Sequence, residues 1–77
     1  MHPGIHMSLS AVSTGRAVVL RSIRDGHELA SRLAAMGFVP GVTIHVHQND
    51  RNGPVVVGVK GGRVMLGRGM AEKMAVE

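Results

Sequence analysis

The chain has 77 residues, with no Cys, Trp or Tyr, a single Phe and 11 Gly. A chain of this length closes one small core burying only ~60% of its unfolded surface, which excludes a multidomain enzyme; lack of Cys removes disulfide frameworks and thiolate metal sites. Apolar residues are 44% and charged residues 18%, too apolar for a disordered tail, and nine Lys and Arg against five Asp and Glu leave a net charge of +4 that favours anionic partners.

The first seven residues lack the basic-then-apolar order of a signal peptide and read as a flexible extension over 1–7, ahead of a single domain over 8–77. No window of 18 apolar residues is available to span a membrane, so the expected location is cytoplasmic. Leu9 to Gly15 opens the folded part and ends in a turn signal. Ala17 to Ile23 is rich in β-branched residues and reads as a first strand. Asp25 and Gly26 break it, with Asp25 placed to cap the next segment.

From His27 to Met36 the period changes. Leu29, Leu33 and Met36 recur at helical spacing on one stripe, and Glu28 and Arg32 sit four apart on the polar side. The spacing predicts a helix over 27–36, ended by Gly37 as a left-handed cap and kept from resuming by Pro40.

After Pro40-Gly41 the period is two. Val42, Ile44 and Val46 face one side and Thr43, His45 and His47 the other. Residues 48–53 form a polar hairpin loop closed by Pro54, and Val55, Val57 and Val59 alternate along the next strand. Gly61-Gly62 marks a tight turn needing positive φ. Val64 and Leu66 then alternate with Arg63 and Met65. A short helical turn over 68–73 leads into a last strand, Met74-Ala75-Val76. The class is therefore mostly β. Five short strands close as a small, partly open barrel, with the helix between strands one and two covering an open end.

Three stretches of the chain resemble the FeoA family, small cytosolic proteins of bacterial ferrous iron transport with an SH3-like barrel. Leu9-Ser10-Ala11-Val12-Ser13-Thr14-Gly15-Arg16-Ala17-Val18-Val19 is similar to the family's opening. Leu33-Ala34-Ala35-Met36-Gly37-Phe38-Val39-Pro40-Gly41 is similar to its helix end and Gly-x-x-Pro-Gly turn, and 64–76 to its closing segment. The resemblance covers Ser8 to Val76, with one departure at Gly67, where the family more often has an aliphatic or basic residue. It implies a partner, the cytosolic GTPase part of the FeoB-type membrane transporter. It implies a role in protein–protein binding rather than bond making. Metal-dependent repressors of the diphtheria-toxin-repressor type carry a similar C-terminal domain.

The residues agree with a non-catalytic reading. No Ser or Thr sits in a nucleophile-elbow context, no inward-facing carboxylate pair is formed, and Gly61-Gly62 lacks the Lys-Ser/Thr of a phosphate loop. His45 and His47 project from one strand face and would share a transition metal such as zinc or iron. Two imidazoles fall short of a closed site, so a further ligand would come from Asp50, His27, His2, His6 or a second molecule. No cofactor is required, and metal binding would be weak or intermolecular, joining molecules into homo-oligomers. Met65, Arg68 and Met70 are the candidate partner-binding residues: Met65 is aimed outward, Met70 adds adaptable apolar surface, and Arg68 a charge that would face a GTPase's phosphates. Two other classes fit parts of the pattern. A metal-sensing domain would use His45 and His47, and a basic small-barrel nucleic-acid-binding module would use the +4 charge, though Phe38 is the only ring available for stacking.

Overall fold

The computed structural model describes residues 7–50 and 52–77. In chain order the elements are β1 (Met7–Ser8), a 3-10 turn (Leu9–Ala11), β2 (Ala17–Ile23), α1 (His27–Ala35), β3 (Thr43–Asn49), β4 (Val55–Val59), β5 (Gly62–Leu66), α2 (Arg68–Glu72) and β6 (Met74–Val76). All pairings are antiparallel, in the order β1-β6-β2-β3-β4-β5. The mostly β architecture, with one helix after the first long strand and a helical turn before the last, is as the patterning predicts. The sheet has six strands rather than five, because Met7 and Ser8 pair with Val76 and Ala75. Met7 thus belongs to the fold, while the rest of the expected extension, residues 1–6, lies outside the described residues.

Alternation decides which side of each strand is buried. Val18 and Leu20 of β2, Ile44 and Val46 of β3, and Val55 and Val57 of β4 are all buried, while the residues alternating with them are exposed, half-buried or glycine. Each such aliphatic side chain contributes roughly 1.5–3 kcal/mol by leaving water. Phe38, 1% exposed, is the one ring in an otherwise aliphatic core that contains no buried polar side chain among the described residues.

Helix α1 touches that core through Leu33, its single buried residue. The backbone N–H of Phe38 donates to the Leu33 carbonyl and that of Gly37 to the Ala34 carbonyl, both at 3.0 Å, with Gly37 at φ 98°. This pair of bonds is a Schellman closure, and it carries Phe38 back over Leu33's end of the helix. Because the closure begins after Ala35, Met36 turns off the stripe and is 46% exposed instead of packing beside Leu33. Leu29 is only half-buried.

Two other turns depart from the expectation. Gly26, not Asp25, is the residue before α1, and no side chain caps the helix. Asp25 itself sits at φ 82° and its carboxylate meets Lys73 Nζ at 2.9 Å. The hydrogen bond and charge of Lys73 hold the Asp25 carboxyl below the usual aspartate range. The β4–β5 turn is Lys60-Gly61, with φ 51° and 81°, and Gly62 already pairs with Val59. Two successive left-handed residues make the tight hairpin whose twist matches the flanking strands.

Candidate functional site

Strand β3 carries the candidate metal residues, and its register explains where they point. His45 pairs with Gly58 and Val46 with Val57, but Gln48 pairs with Val56, so His47 is an extra residue in β3. Such a bulge re-aims the side chains around it. His45 and His47 are both exposed, as the alternation predicts. The His47 ring lies across Gly58, its Nε2 2.5 Å from where a Cβ at that position would stand. Glycine here is therefore a spatial requirement of the ring.

Around this pair the outer faces of β3, β4 and β5 form a shallow groove lined by His45, His47, Gly58, Lys60 and Arg63. Gly58 faces His45 on one side and Arg63 on the other, and the His47 ring over its backbone forms the floor. No Asp or Glu lines it. Among the described residues no group of three or more His, Cys, Asp or Glu is placed to hold a metal ion. Asp50 accepts a hydrogen bond from Gln48 Nε2 at 2.8 Å, and His27 lies in a separate crevice beside Phe38 and Pro40. His2 and His6 lie outside the described residues.

The three partner-binding candidates are placed differently from one another. Met65 is 69% exposed on the outer face of β5, at the edge of the sheet. Met70 is half-buried against the core. Arg68 is drawn into the fold. Its Nε donates to the Gly53 carbonyl at 3.1 Å, one terminal nitrogen to Ser10 O at 3.3 Å, and the other to Asn49 Oδ1 at 2.6 Å and to the Asp50 carbonyl.

Asn49 completes this network and is the residue that sequence patterning misses. Its Nδ2 donates to Ser10 O at 2.9 Å and Val12 O at 2.7 Å, and its backbone N–H donates to Thr14 Oγ1 at 3.1 Å. Strict alternation would turn Asn49 outward. The extra residue at His47 reverses the parity, so Asn49 reaches inward to the 3-10 turn. The signal in the sequence was only an amide at the end of a β-rich run, ahead of a polar loop.

A small, all-antiparallel sheet folded over an aliphatic core, with two short helical segments, defines an SH3-like domain. Known proteins agree with that class. The FeoA domain model matches residues 7–77, and the chain is 36% identical over 69 residues to "Putative Fe(2+) transport protein A" of Methanocaldococcus jannaschii, covering 90% of this chain and 83% of that protein. A crystal structure of an iron uptake regulatory protein, FeoA, superimposes with TM-score 0.85 at 32% identity, covering 95% of this chain and 96% of that one. The zinc complex of FeoA from Stenotrophomonas maltophilia, described as a prokaryotic SH3 domain protein, gives TM-score 0.80 at 28% identity over 92% of this chain and 89% of that one. A manganese-dependent transcriptional repressor shares the fold, with TM-score 0.83 at 20% identity over 42% of its length. The chain belongs to the FeoA family. Membership makes it an accessory component of ferrous iron transport. No helix among the described residues is long and apolar enough to cross a membrane.

Proposed function

We propose that this chain acts in the cytoplasm by binding the cytosolic GTPase part of an FeoB-type membrane transporter, and performs no chemistry of its own. The observation that supports this reading is Met65. A large, flexible apolar side chain stands 69% exposed on the outer face of an edge strand, although Val64 and Leu66 beside it turn toward the core. Exposed Met at a sheet edge suits an adaptable contact surface, and the edge itself offers backbone groups for pairing. Arg68 supports the surface indirectly, by tying the start of α2, just after β5, to the β3–β4 loop and the 3-10 turn.

Titrating the purified GTP-binding part of the transporter into this protein by calorimetry tests the proposal. Wild type is expected to bind, and Met65→Glu to lose about tenfold or more in affinity, as for a contact near the centre of an interface. Met65→Glu should leave the melting temperature unchanged because the side chain is already in water. Failure of wild type to bind, or equal affinity of the variant, would remove this reading.

A second reading concerns metal. His45 and His47, both exposed on one face of β3, would let two molecules each supply a pair of imidazoles to one zinc ion. Lys60 and Arg63 in the same groove oppose a cation, so such association is weak and rises with protein concentration. Light scattering during zinc and ferrous ion titration should show zinc-promoted dimers that vanish in His45→Ala and His47→Ala. Stoichiometric ferrous binding to a monomer would contradict it. The nucleic-acid reading gains nothing from Phe38, which is buried and unavailable for base stacking.

A further inference from the structure

We propose that the groove over Gly58 is a receptor for a carboxylate of an acidic, extended peptide segment. The inference stands apart from the transporter reading, since it concerns the chemistry of the occupant and not the protein that carries it. The chain's cations are unequally available. Lys73 is paired with Asp25 and Arg21 with Glu77, Arg24 donates to the Glu72 carbonyl, and Arg68 is consumed by its network. Among the described residues Lys60 and Arg63 have neither an ion pair nor a side-chain hydrogen bond. They lie in the same groove as the two exposed imidazoles, with no acidic side chain along it.

The register makes this cluster a seat. His45, Gly58 and Arg63 occupy one row across three neighbouring strands. Adjacent strands are ~4.8 Å apart, so the outer two stand ~9.5 Å from one another, and the His47 ring covers Gly58 between them. A carboxylate resting on that ring accepts from the Arg63 guanidinium on one side and an imidazole N–H on the other. Lys60, whose aliphatic stem lies beside Gly37, lines the end of the groove. The bulge at His47 lays the second ring along the floor. A nucleic acid strand fits poorly, because it needs a longer track of cations than this groove offers. An extended peptide presents a carboxylate every second residue, ~6.6–6.8 Å apart, so one seated carboxylate leaves its neighbours over the rim.

The test is a titration of ¹⁵N-labelled protein, in chelator and low salt, with the blocked peptide Gly-Glu-Val-Glu-Gly-Glu, its Gln counterpart, inorganic phosphate and a thymidine oligonucleotide. The acidic peptide should shift backbone amides selectively at 43–47 and 58–63. The Gln peptide should not. Affinity should fall about tenfold in the Lys60→Glu, Arg63→Glu double variant, where two partly exposed charge contacts become repulsions, and stay unchanged in Arg16→Glu. Gly58→Ala provides a second arm: its methyl group takes the place of the His47 ring and displaces it from the floor, so binding should weaken while the melting temperature holds. Shifts scattered over the surface, an equal response to the Gln peptide, or indifference to both groove variants would overturn the proposal. So would tighter groove binding of phosphate or the oligonucleotide.

Discussion

Asn49 and Arg68 show how one backbone irregularity sets the roles of distant side chains. Arg68 uses four of its five donors on Gly53, Ser10, Asn49 and Asp50, and Asn49 uses both amide hydrogens on Ser10 and Val12. Removing either partner leaves polar groups at a part-buried site without their bonds. Asn49→Ala is expected to cost about 1–3 kcal/mol in urea denaturation. Arg68→Lys should do little better than Arg68→Ala, because an ammonium cannot match four acceptors spread around a planar fork. A double-mutant cycle between the two positions should return a coupling of about 0.5–3 kcal/mol. Additivity would mean that the network is not one unit. Asp25 carries the other residue-scale prediction. Its carboxyl is held low in the folded state by Lys73, so the pair's contribution is present above the unfolded aspartate value and fades as pH falls through the folded one. Asp25→Asn should therefore lose a small increment of stability near neutrality and close the gap to wild type in acid. A gap that persists unchanged at low pH would place the effect elsewhere.

At the scale of elements, α1 hangs on its C-terminal end. Leu33 is buried and Phe38 closes over it through the Schellman bonds, whereas the first turn has no side-chain cap. Leu33→Ala is expected to cost about 2–5 kcal/mol, since the cavity cannot be refilled from elsewhere in the helix. Gly37→Val should cost more than ~1 kcal/mol because a β-branched residue is strained at φ 98°. A thermal melt equal to wild type for either variant would contradict the packing described. Five of the six strands and both helices were legible because their period and Gly-Pro punctuation agree, and every inward residue of β4 is a Val, whereas β1 is too short to show a period. What was not legible depends on one-residue offsets. The β3 bulge, the Lys60-Gly61 turn in place of Gly61-Gly62, and Met36's exposure each arise from how neighbouring segments dock, which alternation along a single segment cannot register. The histidines and Met65 were legible as outward residues for the same reason that the core was. The network of Arg68 was not legible, because a lone Arg after a strand looks like surface until the loop it grips is in place.

For the molecule as a whole, β1 is two residues long yet covers one edge of the sheet. Ser8 also donates from Oγ to the Ala71 carbonyl and accepts from the Ser10 N–H, tying the 3-10 turn to α2. A chain lacking residues 1–8 is expected to melt several degrees below one lacking 1–6, given ~4–8 °C per kcal/mol for a domain of this size. Identical melts would make β1 an ornament of the edge.

Strand order has a further consequence, in time rather than in space. β6 lies between β1 and β2, and Leu20 and Ile23 of β2 face Val76 and Met74 in its ladder. Synthesis delivers β1 and β2 before the other strands, and the strand that joins them after all the others. Until residues 74–76 leave the ribosome, the two earliest strands have no common partner, and the Val18 and Leu20 side of the core lacks the cover of Met74 and Val76. The hairpins β3–β4 and β4–β5 can pair as they emerge, being local in sequence. Completion of the fold is thus deferred until β6 has emerged, and the β3–β5 face that carries the groove is the part of the molecule able to form first.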